Sequence, residues 1–455
     1  MLIARRWIVW GLSALFVVYN YLQQVVPGII APDLLLEFHV GASELGKIAA
    51  PFFYAYALLQ IPVGLTLDRF GPHRPLVAAV FVAALGSVLF AVSTSAGTAG
   101  LARLVIGAGA AFSFIASLKL VSNWFAPERF ATLAGMTNTA GMIGAAGGGA
   151  PLALLVAAIG WRASLGLLGV IGFALAVLIL LFVRNYPAMS PDYPRPELVR
   201  SRPATRTAEG WREGEVSDDR SEARSVEVRS DRTPTTGTES GSLKNSLRTI
   251  LASPQAWINA LYATAISIVF VAFGALWGAS YVERACGVSR FAASAAVSLL
   301  FLGAIPGSMF FGWVSDRIRS RKAPMLAAAV GGLTCMCALL YLPELSFTGL
   351  RLLLAALGFF CSANIVSYAV SHDISSPRQA GLALGFLNTC FYAGSASSQP
   401  LVGKLLDLRS AARGAAGIES LTAGDFRFAL SSVVAALLLS LVAALLLEES
   451  HPRAG

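Results

Sequence analysis

Charge is what this sequence has least of. Only 13% of its 455 residues are Asp, Glu, Lys or Arg, against about a quarter in ordinary soluble domains. A deficit of that size excludes a water-soluble globule and points to a chain that crosses a bilayer many times. No Asp or Glu falls in the middle of any long apolar run, and the four histidines, His39, His73, His372 and His451, stand in loops or at run ends. The five cysteines give no disulfide framework, and Cys335 and Cys337 lack companion ligands, so they read as packing residues. No metal and no other cofactor is expected. No nucleophile–base constellation is present, which argues against an enzyme. The net charge of +9 does not imply nucleic acid, because the cations gather in short loops between apolar runs, where they set orientation.

What is present is apolar: 56% of the chain is hydrophobic. A window of about 20 residues crosses a bilayer as a helix. It finds spans at 7–29, 44–66, 74–94, 98–121, 129–157 and 162–183, then at 254–280, 291–314, 323–343, 349–371, 380–406 and 425–447. The first run follows Arg5 and Arg6 and has no prompt small-x-small site after it, so it reads as an uncleaved span rather than a signal peptide. Residues 185–248 hold eleven basic and eleven acidic residues and few apolar ones; a disordered linker is expected there. It divides the chain into a six-helix unit over 1–184 and another over 249–455. The linker and the cluster Arg317, Arg319, Arg321 and Lys322 put both termini in the cytoplasm of an inner membrane. A monomer in contact with lipid and a small-molecule solute is expected.

The two units are copies. Gly64 and Gly312 are 312 − 64 = 248 apart, as are Asp68 and Asp316, Arg69 and Arg317, and Arg103 and Arg351. Pro127 and Pro377, and Gly135 and Gly385, are 250 apart. Two units that both start inside are parallel repeats about an axis along the membrane normal. The fold class expected is an all-α polytopic membrane protein with twelve transmembrane helices. The stretch GLTLDRFGPHR, through Gly64, Asp68, Arg69, Gly71 and Arg74, resembles the loop signature of the major facilitator superfamily. GWVSDRIRSRK, with Gly312, Asp316 and Arg317, is its second copy, although Arg319 stands where the glycine belongs. Arg103, Gly107, Gly109 and Ala111 resemble the fourth-helix signature. The resemblance implies a secondary transporter working by alternating access.

In that reading Gly64 lets the end of span 2 approach a neighbouring helix closely. Asp68 faces the N-terminus of span 11 at Pro377, and Asp316 faces that of span 5 at Pro127. Such contacts would latch one end and break when it opens; a plain positive-inside turn explains the arginines and Gly71 but not the paired aspartates.

Polar residues within the spans are few. Tyr19, Tyr21 and Gln24 of span 1, Tyr56 and Gln60 of span 2, Asn364 of span 10, and Asn388 and Tyr392 of span 11 are candidates to hold solute. Any one of them could equally be helix–helix glue. Arg103, Lys119 and Arg351 are cations within spans. Lys119 either faces the site or snorkels to the surface. A continuous helix would place Arg103, Ser113 and Ser117 along one cavity, with Lys119 at its floor. With no acid in the membrane, the site favours an anionic or zwitterionic solute whose carboxylate pairs with Arg103 or Lys119. Coupling is then absent or rides on the solute's own charge. An organic-cation exporter would need a membrane acid; a sensor of the same fold would bind without flux. Other stretches, YAYALLQIPVGLTLDRFGP among them, resemble a bacterial branch near the phagosomal amino-acid and lysosomal dipeptide transporters, which implies amino acids or short peptides as cargo.

Overall fold

The computed structural model describes residues 2–125, 129–186, 248–343, 345–375, 380–413 and 421–450, and they are helical or in turns. Linker residues 187–247, Pro127 and Pro377 fall outside the described residues, as does the side chain of Asp68, while Asn185 at the linker's start is ordered against Gly71 and His73. In chain order the helices are α1 (Leu2–Ile29), α2 (Ala31–Phe38), α3 (Ala42–Ala49), α4 (Pro51–Phe70), α5 (His73–Ala91), α6 (Ala96–Ala110), α7 (Ser113–Trp124) and α8 (Phe130–Phe182). The second set is α9 (Pro254–Ile268), α10 (Gly278–Cys286), α11 (Arg290–Arg317), α12 (Lys322–Tyr341), α13 (Phe347–Cys361), α14 (Ile365–Asp373), α15 (Ala380–Ala412) and α16 (Ala423–Leu446). A π-helical stretch, Val269–Trp277, joins α9 to α10, and a 3-10 turn, Ser362–Asn364, joins α13 to α14.

Among the described residues, ten helical segments are long and apolar enough to cross a membrane. One of them, Thr132–Phe182, contains two crossings. It is divided at Gly160, whose φ of 79° and ψ of 162° only glycine adopts freely. The first part runs with α1: Thr137 accepts from Trp10, and Gly148 meets Leu22 and Val25. The second part runs back: Trp161 reaches Glu37, and the carbonyl of Arg184 accepts from Trp124. Helix α15 supplies the remaining crossing, with polar side chains that bond to both halves. The fold is therefore twelve transmembrane helices in two six-helix repeats.

Each repeat is drawn together by a glycine laid on a carbonyl. A Cβ on Gly107 would overlap the carbonyl of Phe52, and one on Gly358 would overlap that of Leu300. Phe52 and Leu300 are 300 − 52 = 248 apart. The glycines are 358 − 107 = 251 apart, so the second and fourth spans of each half cross closely at positions shifted by three residues within the repeat.

The repeat also holds in the signature loops. Gly71 ends α4 with a φ of 71° and ψ of 164°, and Arg319, 248 residues later, has a φ of 53°. The backbone takes the left-handed side in both copies, although the second has no glycine. A Cβ on Gly71 would also lie 2.6 Å from the Asn185 amide nitrogen, and Asn185 accepts from the His73 N–H at 2.7 Å. We expect Gly71→Ala to destabilise by about 1–3 kcal/mol. Arg319→Gly should be neutral or stabilise by up to about 1 kcal/mol. Thermal unfolding of the two variants in detergent checks both.

Between spans 1 and 2, Glu37 accepts from Trp161 Nε1 at 2.7 Å and from Arg162 Nε at 3.0 Å. Burial pushes the Glu37 carboxyl up, but the Arg162 and Trp161 hydrogen bonds and the Arg162 charge outweigh it and hold it below its ordinary value. A folded-state value below the unfolded one stabilises fully above the unfolded value of about 4, and the contribution fades as pH falls through the folded value. The stability gap between the wild type and Glu37→Gln should be small, since the pair is exposed. It should be widest at neutral pH and closed in strong acid, read from unfolding temperatures across pH.

Candidate functional site

The halves meet closely at one end. At the end that carries residues 30–42, a Cβ on Gly46 would overlap Pro400, and one on Gly403 would overlap the Ala42 carbonyl. Gly28 lies against the carbonyls of Ala275 and Leu276. At the signature-loop end, Gly64, Gly135, Gly312 and Gly381 have open space where a side chain would stand, among the described residues. The close approach expected at Gly64 is not made among the described residues. Gly312 is equally open.

The signature residues serve their own halves here. Gly71 seats on Asn185. Arg69 stacks over Phe70 at 5.2 Å, and Arg74 and Arg317 are exposed. Asp316 accepts from Arg321 at 2.7 Å, and the same guanidinium donates to Asp373 at 2.9 Å; Pro127, expected opposite Asp316 at the start of span 5, lies outside the described residues. This ion network ties spans 8, 9 and 10 within one repeat. The partner proposed for Asp68 lies outside the described residues.

Midway between the ends, aromatic rings from both halves meet. Tyr56 of α4 and Tyr392 of α15 have centroids 4.3 Å apart, and Tyr392 stacks on Phe53 at 6.3 Å. Tyr368 of α14 donates to the Asn388 side-chain oxygen at 2.7 Å. Tyr21, Tyr56, Tyr368 and Tyr392 lie close enough to interact electrostatically, and Asn20, Gln60 and Ser113 adjoin the Tyr56 hydroxyl. Tyr54 and Ser397 meet at 3.1 Å beside this group. Spans 1, 2, 10 and 11 thus form a cage of hydroxyls and amides. Gln24 and Asn364 are half-buried, and the Gln24 amide nitrogen has no hydrogen-bond partner in the structure.

Apart from Gln60, which adjoins the cage, the other predicted residues lie elsewhere. Tyr19 is turned into the first half, where its hydroxyl bonds Ser87 at 2.9 Å and the Leu168 carbonyl at 3.2 Å. Gln60 donates to the Tyr56 carbonyl at 3.2 Å. Arg351 is exposed above Phe347, and Lys119 is half-buried on α7. Arg103, Ser113 and Ser117 of span 4 share the face that meets span 1: Arg103 donates to the Gln23 carbonyl, Ser113 accepts from Asn20, and Ser117 donates to the Ser13 carbonyl. Tyr368 and Asn20 were visible only as polar residues in apolar runs.

Arg103 itself is fully buried. Its Nη1 donates to the Gln23 carbonyl at 2.7 Å, and its guanidinium lies 4.5 Å over the Phe52 ring. Nε and Nη2 have no hydrogen-bond partner, and no described carboxylate pairs with it. Phe52 in turn stacks on Tyr56 at 6.4 Å, so the charge stands one aromatic layer behind the cage.

The Major Facilitator Superfamily profile matches residues 12–282 and 263–455. This chain belongs to that superfamily. It is similar to the probable sulfoacetate transporter SauU of Cupriavidus necator, 24% identical over 89% of this chain and 88% of that protein. It is 30% identical to the hexuronate transporter of Bacillus subtilis over 37% of this chain, but that match spans only 40% of the relative. Among solved structures, a bacterial homologue of the human lysosomal transporter Spinster superposes with a TM-score of 0.69 at 17% identity, covering 97% of this chain and 96% of that one.

A buried cation without a counter-ion destabilises the protein that holds it. Arg103→Met, which keeps the packing against Phe52, should therefore unfold at the same temperature as the wild type or higher, despite the bond lost to Gln23. Thermal unfolding in detergent micelles measures this.

Proposed function

We propose that this superfamily transporter carries a small carboxylate-bearing solute, held in the tyrosine and amide cage between its halves. The observation that carries the reading is Arg103, a fully buried cation with two nitrogens lacking partners and an aromatic path to the cage. At a separation of roughly 10 Å and an effective dielectric near 20, one charge favours an anion in the cage by about 1–2 kcal/mol. The carboxylates among the described residues sit towards helix ends, so none opposes that field at mid-membrane. The relatives named for sulfoacetate and hexuronate, both acidic solutes, support the same class. The cage hydroxyls and amides would hold the uncharged part of the solute, with Lys119 adding to the positive field. The linker of 185–248 would join the two six-helix units on the cytoplasmic side, with both termini, in an inner membrane, and the carrier would work as a monomer.

Uptake into proteoliposomes tests this with labelled amino acids, dipeptides, hydroxy acids and monocarboxylates. Arg103→Gln should raise the half-saturating concentration of a carboxylate substrate about tenfold and leave its uncharged amide analogue unchanged. Equal losses for both would overturn the electrostatic reading. Flux of organic cations alone would overturn the solute class, and binding without flux would make the protein a sensor.

A further inference from the structure

Helix α3 begins span 2 without a cap of its own: Gly41 stands at its N-cap and contributes no side-chain bond. The first N–H groups of a helix have no partner within it. Here the other half supplies one. Asp407, near the end of α15, accepts from the backbone N–H of Ala42 through one oxygen and from that of Ser43 through the other, each at 2.8 Å. Both bonds are charge-assisted, and the carboxylate sits on the positive end of the helix. The joint is closely fitted. A Cβ on Gly41 would lie 3.0 Å from both carboxylate oxygens, and Gly403, one turn before Asp407, lets α15 lie on the Ala42 carbonyl.

We propose that Asp407 is the residue that holds this end of the carrier shut, by capping a helix of the opposite half. Opening that end separates residues 42–43 from 407, so both bonds must break in each transport cycle. Two orphaned N–H groups and a carboxylate must then be hydrated together. An ion pair across the same end, Arg290 with Asp33 at 2.7 Å, is partly buried, as Asp407 is, but it joins two mobile side chains by one bond, whereas Asp407 makes two bonds to fixed backbone, so it adds less. Asp407 is thus a positioning residue for transport, acting through the balance of states rather than by touching solute.

The test is the distance between spin labels on Thr94→Cys and Pro343→Cys, with the native cysteines replaced, in the full chain in lipid nanodiscs. Both labelled positions are exposed loop residues at the closed end. Asp407→Asn keeps the shape but offers the two N–H groups only one acceptor oxygen. It should raise the ratio of long to short distances about tenfold. Gly41→Ala, which crowds the carboxylate without removing its charge, should shift it the same way, and Arg290→Gln should shift it less. The reading is independent of which solute is carried. Unchanged distances in both Asp407→Asn and Gly41→Ala, or a larger shift in Arg290→Gln, would overturn the proposal.

Discussion

The architecture depends on how closely two helices can approach when one offers no side chain. Gly107 on the Phe52 carbonyl, and Gly358 on that of Leu300, bring the second and fourth spans of each repeat into backbone contact. Lipid gives helices little hydrophobic reason to associate, so such contacts carry much of the cohesion. They fix each repeat as one body and leave the surface between repeats free to be made and unmade. That surface uses the same means at one end, where Gly28, Gly46 and Gly403 bring the halves together.

Within this frame the central cage has a clear division of labour. The first half brings Tyr21 and Tyr56 backed by a buried guanidinium, and the second brings Tyr368, Asn388 and Tyr392, which are uncharged. Charge is thus stored in one half, and the hydrogen-bonding groups are shared by both. The tyrosines are suited to this position, since an amphipathic ring packs in an apolar wall and turns a hydroxyl to the interior.

Much of this could be read from the residues. The 248-residue offset marked the two-unit repeat and the paired signature loops. Tyr21, Tyr56, Asn388 and Tyr392 were found as rare polar groups in apolar spans, and they come together. What could not be read was direction. Tyr19 lies two residues from Tyr21 but faces its own bundle, and period alone does not say which face meets which half. Arg103, Ser113 and Ser117 share one face of span 4, but register alone did not say that this face meets span 1. Asp407 was hidden because a carboxylate near the end of a span looks like any solvated loop charge; its partners are backbone groups, which leave no pattern in side-chain sequence.

The turn at Gly160 has a mechanical consequence. Spans 5 and 6 are joined through a single residue of reversed backbone, with no loop between them. Span 5 touches the second half, where Gly149 lies against Ser294 and Ser298, and span 6 is packed on α5 through Gly169 and Gly172. A joint with no slack cannot absorb a displacement. Any shift that the second half imposes on span 5 is therefore delivered to span 6 and through it to span 3, so a pair of helices that meets the partner on one side works as a lever on the far side of its own bundle.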